Sequence, residues 1–95
     1  MNRYSIEKLP LDVQNDLAQK IKELRKQKKF TQVELAERSG VSLGSLKRFE
    51  SKGQISLESL LRLVQILGRL SDFEDILKPE GNLSHIESLF DRTKK

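Results

Sequence analysis

Leu43, Gly44, Lys47 and Arg48 stand at the three- and four-residue spacings that bring side chains onto one face of a helix, and two of the four are cationic. A lysine or arginine on an exposed helix can neutralise phosphate. It can also donate to guanine acceptors in the DNA major groove, which at about 12 Å wide admits one helix. Arg48 suits the second role better than Lys47, because its planar fork meets both guanine acceptors at once. Other chemistry is poorly supplied. His85 is the only histidine and there is no cysteine, so a metal or nucleophilic site would have to be assembled from carboxylates alone. Glu34, Glu37, Asp72, Glu74 and Asp75 are already explained as first-turn residues or solvent-facing charges, and no glycine-rich phosphate loop occurs. The sequence therefore predicts a protein that is not an enzyme and uses no cofactor and no metal.

A basic face of this kind must be carried by a short helix standing clear of a core. Its start, and those of two neighbours, follow one pattern: an apolar residue, a Ser or Thr cap, and a Leu four positions after the cap, which is the hydrophobic staple. Phe30, Thr31 and Leu35 form the first, with Glu34 completing a capping box. Val41, Ser42 and Leu46 form the second, and Ile55, Ser56 and Leu60 the third. Gly40 and Gly53 suit the left-handed residue that ends a helix. The pattern predicts helices over residues 32–38 and 43–51, joined by the tight turn Ser39, Gly40, Val41, with Val41 and Leu46 packed inward to fix the angle between them.

Earlier in the chain, Val13, Leu17, Ile21 and Leu24 recur at spacings of four, four and three, predicting a core-facing helix from residue 10 to about 28 with Pro10 in its first turn. Later, Leu60, Leu61, Val64 and Leu67 predict the core face of a helix from 57 to about 68. Leu63 and Ile66 lie off that stripe, so they are either deeply buried or turned to a partner. Capping boxes at Ser71 with Glu74 and at Ser84 with Glu87 predict short helices over 72–78 and 85–92, separated by Pro79 and Gly81. No strand-like alternation occurs, so the expected fold is all-α with five or six helices.

Ninety-five residues suit one domain, here residues 10–78, with an N-terminal arm over 1–9 and a tail over 79–95 carrying the short last helix. Hydrophobic residues at 36% and charged residues at 34% imply a modest core under a heavily charged surface. Residues 57–70, the longest apolar-rich stretch, are too interrupted to span a bilayer. No basic patch followed by an apolar run opens the chain, so a cytoplasmic location is expected. The net charge of +4 is unevenly laid out: residues 20–62 hold eleven Lys/Arg against five Asp/Glu, whereas residues 70–95 hold four against six. Local concentration of charge decides whether a surface attracts phosphate, and the middle of the chain is basic.

Between Ile21 and Leu70 the chain resembles the Cro and phage-repressor class of helix-turn-helix proteins, also called the xenobiotic response element family. The resemblance rests on Ile21, Leu24 and Arg25, then Thr31-Gln32 and Glu34-Leu35-Ala36, then Ser39-Gly40-Val41-Ser42, then Leu46, Phe49, Glu50 and Gly53. About half the chain is covered. The resemblance implies a lambda-repressor-like domain in a sequence-specific transcriptional repressor that binds a palindromic double-stranded DNA operator as a homodimer.

Residue by residue, the resemblance implies that Leu43, Gly44, Lys47 and Arg48 face base edges. Gln32 braces a phosphate and the recognition helix, while Ser42, Ser45, Ser51 and Lys52 lie near phosphates. It also implies that Arg25 and Glu50 pair across the core. Several relatives carry glutamine where this chain has Leu43 or Gly44, so adenine readout by an amide is replaced here, with Leu43 able to touch a thymine methyl. The dimer contact is expected through Ile66, Leu70, Phe73, Ile76 and Leu77. A rival reading is a protein-interaction module that uses the same fold as scaffold. Small repressors of the HipB-like antitoxin kind combine both roles, and residues 1–9 and 82–95, with the apolar face Leu83, Ile86, Leu89 and Phe90, could then hold a toxin partner.

Overall fold

Local chemistry at the turns sets where each helix starts. Thr31 Oγ1 accepts the Glu34 N–H at 3.0 Å while Glu34 Oε1 accepts the Thr31 N–H at 2.8 Å, a reciprocal capping box. Ser42 and Ser56 cap the two following helices by accepting from the N–H groups of Ser45 and Ser59, each at 3.1 Å; such a cap is worth about 1 kcal/mol over alanine. The first helix lacks a capping side chain at Leu9, and Asp12 instead reaches back to accept the Leu9 N–H at 2.9 Å.

The structure, a computed structural model, describes residues 8–80. Among them are five helices and no strand: α1 (Pro10–Gln27), α2 (Gln32–Ser39), α3 (Leu43–Lys52), α4 (Leu57–Ile66) and α5 (Leu70–Glu74). The all-α expectation is met among these residues. Helices α2 and α3 end on Gly40 and Gly53, both left-handed at φ +77° and +74°. No glycine closes α1. There Lys29 takes φ +62°, and the Phe30 N–H bonds the Arg25 carbonyl at 3.1 Å.

Helix α1 packs chiefly on α3, α2 lies against α3 and α4, and α5 rests on α4. Their shared core comprises Ala18, Ile21, Leu35, Ala36, Val41, Leu46, Phe49, Leu60, Leu63, Val64 and Leu67. Two stripes differ from expectation. Val13 is 53% exposed. The inward face of α1 runs through Ala18, Ile21 and Arg25; because it begins with a small residue and ends with a charged one, a hydrophobic count rotates the stripe about a quarter turn toward half-buried Leu17 and Leu24. On α4, Leu63 is fully buried whereas Leu61 is half-buried, because the inward positions are 60, 63, 64 and 67 at helical spacing.

The end of the domain differs too. Helix α4 stops at Ile66, where Gly68 at φ +76° lets the Arg69 N–H reach the Val64 carbonyl at 3.0 Å. This early closure starts α5 at Leu70, so Ser71 lies inside the helix and the expected capping box with Glu74 does not form. Leu77 at φ +57° keeps a helix from extending to residue 78. The helix expected over 85–92 and most of the arm and tail lie outside the described residues. Among those described, no helix is long and apolar enough to cross a membrane.

Gly53 is buried, and Gln14 Nε2 donates to its carbonyl at 3.0 Å. A Cβ there would stand 2.9 Å from Asn15 Oδ1 and 3.1 Å from the Gln14 backbone carbon, whereas one on Gly44 would meet nothing within 4 Å. Gly53→Ala should therefore lower stability by about 1–3 kcal/mol through left-handed strain and overlap. Gly44→Ala should leave it unchanged or slightly raised. Urea denaturation of both variants checks the contrast, and equal stabilities would contradict the α1–Gly53 contact.

Candidate nucleic-acid interface

Helix α3 is held from behind by Leu46 and Phe49, which are almost completely buried. Its opposite face presents Gly44, Lys47 and Arg48 to solvent. Leu43, expected on that open face, is half-buried instead: as the first residue of α3 it leans back onto the core at the turn. Thus the predicted base-reading residues form an open cationic strip with an apolar shoulder at its N-terminal end.

A groove lies on each side of this strip. The first is lined by Lys22 and Lys26 of α1, Gln32 of α2, and Lys47 and Ser51 of α3, with Arg25 and Glu50 also in its wall. The second is formed by Ser45 and Arg48 of α3 together with Gln54, Ile55 and Ser56 from the loop before α4 and Ser59 from its first turn. Lys22, Lys26, Gln54 and Ser59 were not singled out from sequence. The lysines had a readable signal, since Lys22, Arg25 and Lys26 share one helical face at spacings of three and four. Nothing local marked Gln54 or Ser59, whose place depends on how α4 packs.

Arg25 Nε and Nη2 meet Glu50 Oε2 and Oε1 at 2.7 and 3.1 Å, and Arg25 Nη1 donates to the Phe30 carbonyl at 2.8 Å. Gln32 Nε2 adds a further donor to Glu50 Oε1 at 2.9 Å. The two charged side chains are only 9% and 4% exposed. Glu50 is the single acidic residue of α3. Its charge is thus enclosed by donors rather than offered to the surface, leaving the outer face of α3 purely cationic.

The serines divide by their bonding. Ser42 accepts from the Ser45 backbone and donates to Ser45 Oγ at 2.9 Å, so its hydroxyl is committed to the cap. Ser51 donates to the Arg48 carbonyl at 3.3 Å. Ser45 keeps its hydroxyl hydrogen for an outside acceptor, and Lys52 is exposed at the end of α3. No group of His, Cys, Asp and Glu that could hold a metal ion occurs among the described residues.

The family pattern described as Helix-turn-helix, HTH_3, matches residues 21–73, more than half the chain. The chain belongs to this helix-turn-helix family. No curated protein and no solved structure matches it. Membership makes it, at family level, a DNA-binding transcription regulator. In that helix-turn-helix, α2 is the bracing helix and α3 the recognition helix, and the buried carboxylate joins both to α1.

Removing one partner of the enclosed pair strands the other charge. Arg25→Ala should cost about 3–5 kcal/mol. The combined Arg25→Met and Glu50→Leu replacement should recover most of that loss, because it leaves no unpaired charge. Denaturation curves for the two proteins decide the point; a cheap single substitution would show that the pair is not solvent-excluded.

Proposed function

We propose that this helix-turn-helix protein is a transcriptional repressor that binds a palindromic operator as a homodimer. The supporting observation is the exposed Lys47–Arg48 strip of α3, flanked by two donor-lined grooves while the only acid of that helix is neutralised inside. In this reading Arg48 pairs with a guanine, Lys47 reaches a base or phosphate, and bare Gly44 allows close approach of the helix. Gln32, Ser45 and Lys52 bind phosphates, joined by Lys22 and Lys26. Ser42 and Ser51 contribute by holding local backbone in place.

The dimer surface is centred on the end of the described chain. Ile66, Leu70 and Phe73 are half-buried against their own core, so they offer only edges, whereas Ile76 and Leu77 are 53% and 92% exposed. Leucine that open is costly to leave in water. A two-fold contact there gives paired recognition helices, which read half-sites about 34 Å apart on one side of the duplex. Repression then follows from occupying promoter DNA.

Selection from random duplex DNA at moderate salt should enrich one palindromic motif; recovery of unenriched DNA would sink the reading. Against that motif, Arg48→Ala should lose about 1–3 kcal/mol and relax preference at one base pair, while Lys52→Ala should weaken all sequences alike. Leu77→Asp, which leaves the core untouched, should halve the sedimenting mass and lower operator affinity. An unchanged mass would move the interface elsewhere.

A further inference from the structure

Val13, Leu17 and Leu24 have the spacing of a core-facing stripe, yet the described residues leave it open: Val13 is 53% exposed, and Leu17 and Leu24 are only half-buried. They form one wall of a groove between α1 and α5. In one half of the groove, buried Ile21 and Val64 with half-buried Leu17, Leu24 and Phe73 make the floor. Exposed Lys20, Glu23 and Gln27 edge it on the α1 side, and Arg69 and Asp72 on the other. The groove continues past Leu17, Lys20 and Phe73 into a second half bounded by Val13, Ile76 and the Lys8–Asp16 ion pair.

Helix α5, the far wall, has five residues, and none of them is fully buried. A helix so short does not persist on its own hydrogen bonds in water; it depends on what packs against it. Both walls therefore present apolar side chains that nothing among the described residues covers.

The sequence beyond residue 80 supplies a cover of matching chemistry. Ile86, Leu89 and Phe90 stand three and four residues apart, a helical face that Leu83 extends. Seven residues carry the chain from Ile76 at the groove to Leu83, a reach of at most about 25 Å. A tether so short gives the segment an effective concentration on the order of millimolar, far above that of a second copy in dilute solution. Size agrees as well: a helix over 85–92 is about 12 Å long, against about 16 Å of α1 between Val13 and Leu24. So does charge. Glu87 and Asp91 share one edge of the apolar face, and Lys20, at the junction of the two halves, forms no salt bridge among the described residues.

We propose that residues 83–92 of the same chain lie in the α1–α5 groove as an amphipathic helix, closing the open stripe of α1 and fastening α5 to it. The inference stands apart from the DNA-binding reading. Leu77 lines neither half of the groove, so the two-fold contact proposed above keeps its most open side chain.

The chain contains no cysteine, so Ser88→Cys, on the polar side of the segment, takes a single nitroxide label in the full-length protein. Amide resonances of Leu17, Lys20, Leu24 and Phe73 should broaden, while those of Gly44 and Arg48 on the open face of α3 should stay sharp. Isotope-enriched protein without the label, mixed with labelled protein at natural abundance, separates the two sources of the segment. No broadening in the mixture supports occupancy by the molecule's own chain; broadening there assigns the groove to a second copy and overturns the proposal.

Phe90→Asp in the segment and Val13→Asp at an exposed position of α1 both leave the described core untouched, and each should abolish the broadening. In Phe90→Asp the amides of α5 should exchange about tenfold to hundredfold faster, the factor that returning one large apolar side chain to water carries. Groove resonances that stay sharp in the labelled protein, or broadening that survives both substitutions, would show that residues 83–92 are not the occupant.

Discussion

Placement of the recognition helix depends on one enclosed carboxylate. Glu50 sits on α3, its guanidinium partner Arg25 on α1, and its third donor Gln32 on α2, so a single group ties three helices at one point. Hydrophobic packing alone would leave α3 free to slide or rotate slightly on Leu46 and Phe49, because burial is non-directional. The bidentate fork removes that freedom, since two parallel bonds fix both distance and plane. Taking two charges out of water costs several kcal/mol per ion, which their attraction and hydrogen bonds only roughly offset. The pair is therefore better understood as setting geometry than as adding stability. A protein that must present side chains to a rigid duplex gains from that exchange.

Enclosing Glu50 also shapes the electrostatics. Were its carboxylate on the surface, it would stand beside Lys47 and Ser51 in the same groove and repel phosphate. With the charge taken up by Arg25 and Gln32, the groove presents Lys22, Lys26 and Lys47 without a competing exposed acid of α3. Acidic residues gather elsewhere, as in Asp72, Glu74 and Asp75 at and beyond α5.

The parts of this arrangement readable from sequence are those governed by neighbours in the chain. Caps at Thr31, Ser42 and Ser56, with their staples and the closing glycines 40 and 53, are three- to five-residue patterns, and all three helix starts occur where those patterns put them. Contacts between distant segments were not readable in the same way. The inward face of α1 is not legible locally because the charged Arg25 is buried there for a partner 25 residues away, while exposed Gln14 reaches the Gly53 carbonyl 39 residues away. The start of α5 was misplaced because a plausible cap at Ser71 is overridden once Gly68 turns the chain early. Arg25 and Glu50 were paired only through family resemblance, since nothing in their spacing distinguishes them from two surface charges. On the candidate site, Lys47 and Arg48 were evident from helical spacing, but the flanking donors Gln54 and Ser59 depend on where α4 docks.

The sparseness of base-reading groups on α3 constrains the quaternary state. One bidentate arginine contributes about 1–3 kcal/mol of discrimination. A lone domain with one such group separates its site from random DNA by about 1–3 kcal/mol. Specific regulators exceed their own non-specific binding by about 4–10 kcal/mol, because a genome offers millions of competing sites. Additional lysines cannot close that gap: phosphate contacts strengthen binding to every sequence, raising the competing background together with the target. Only repetition of the reading helix does so. Two copies held rigidly on one duplex double the discriminating contacts without altering their ratio to phosphate contacts, which brings the total into the range a regulator needs. Such doubling requires a contact away from the recognition helix, and the open side chains of Ile76 and Leu77 follow α5, apart from the residues that line the two grooves beside the cationic strip. The chemistry of the recognition helix and the exposed apolar residues that follow α5 thus both favour the homodimer proposed above.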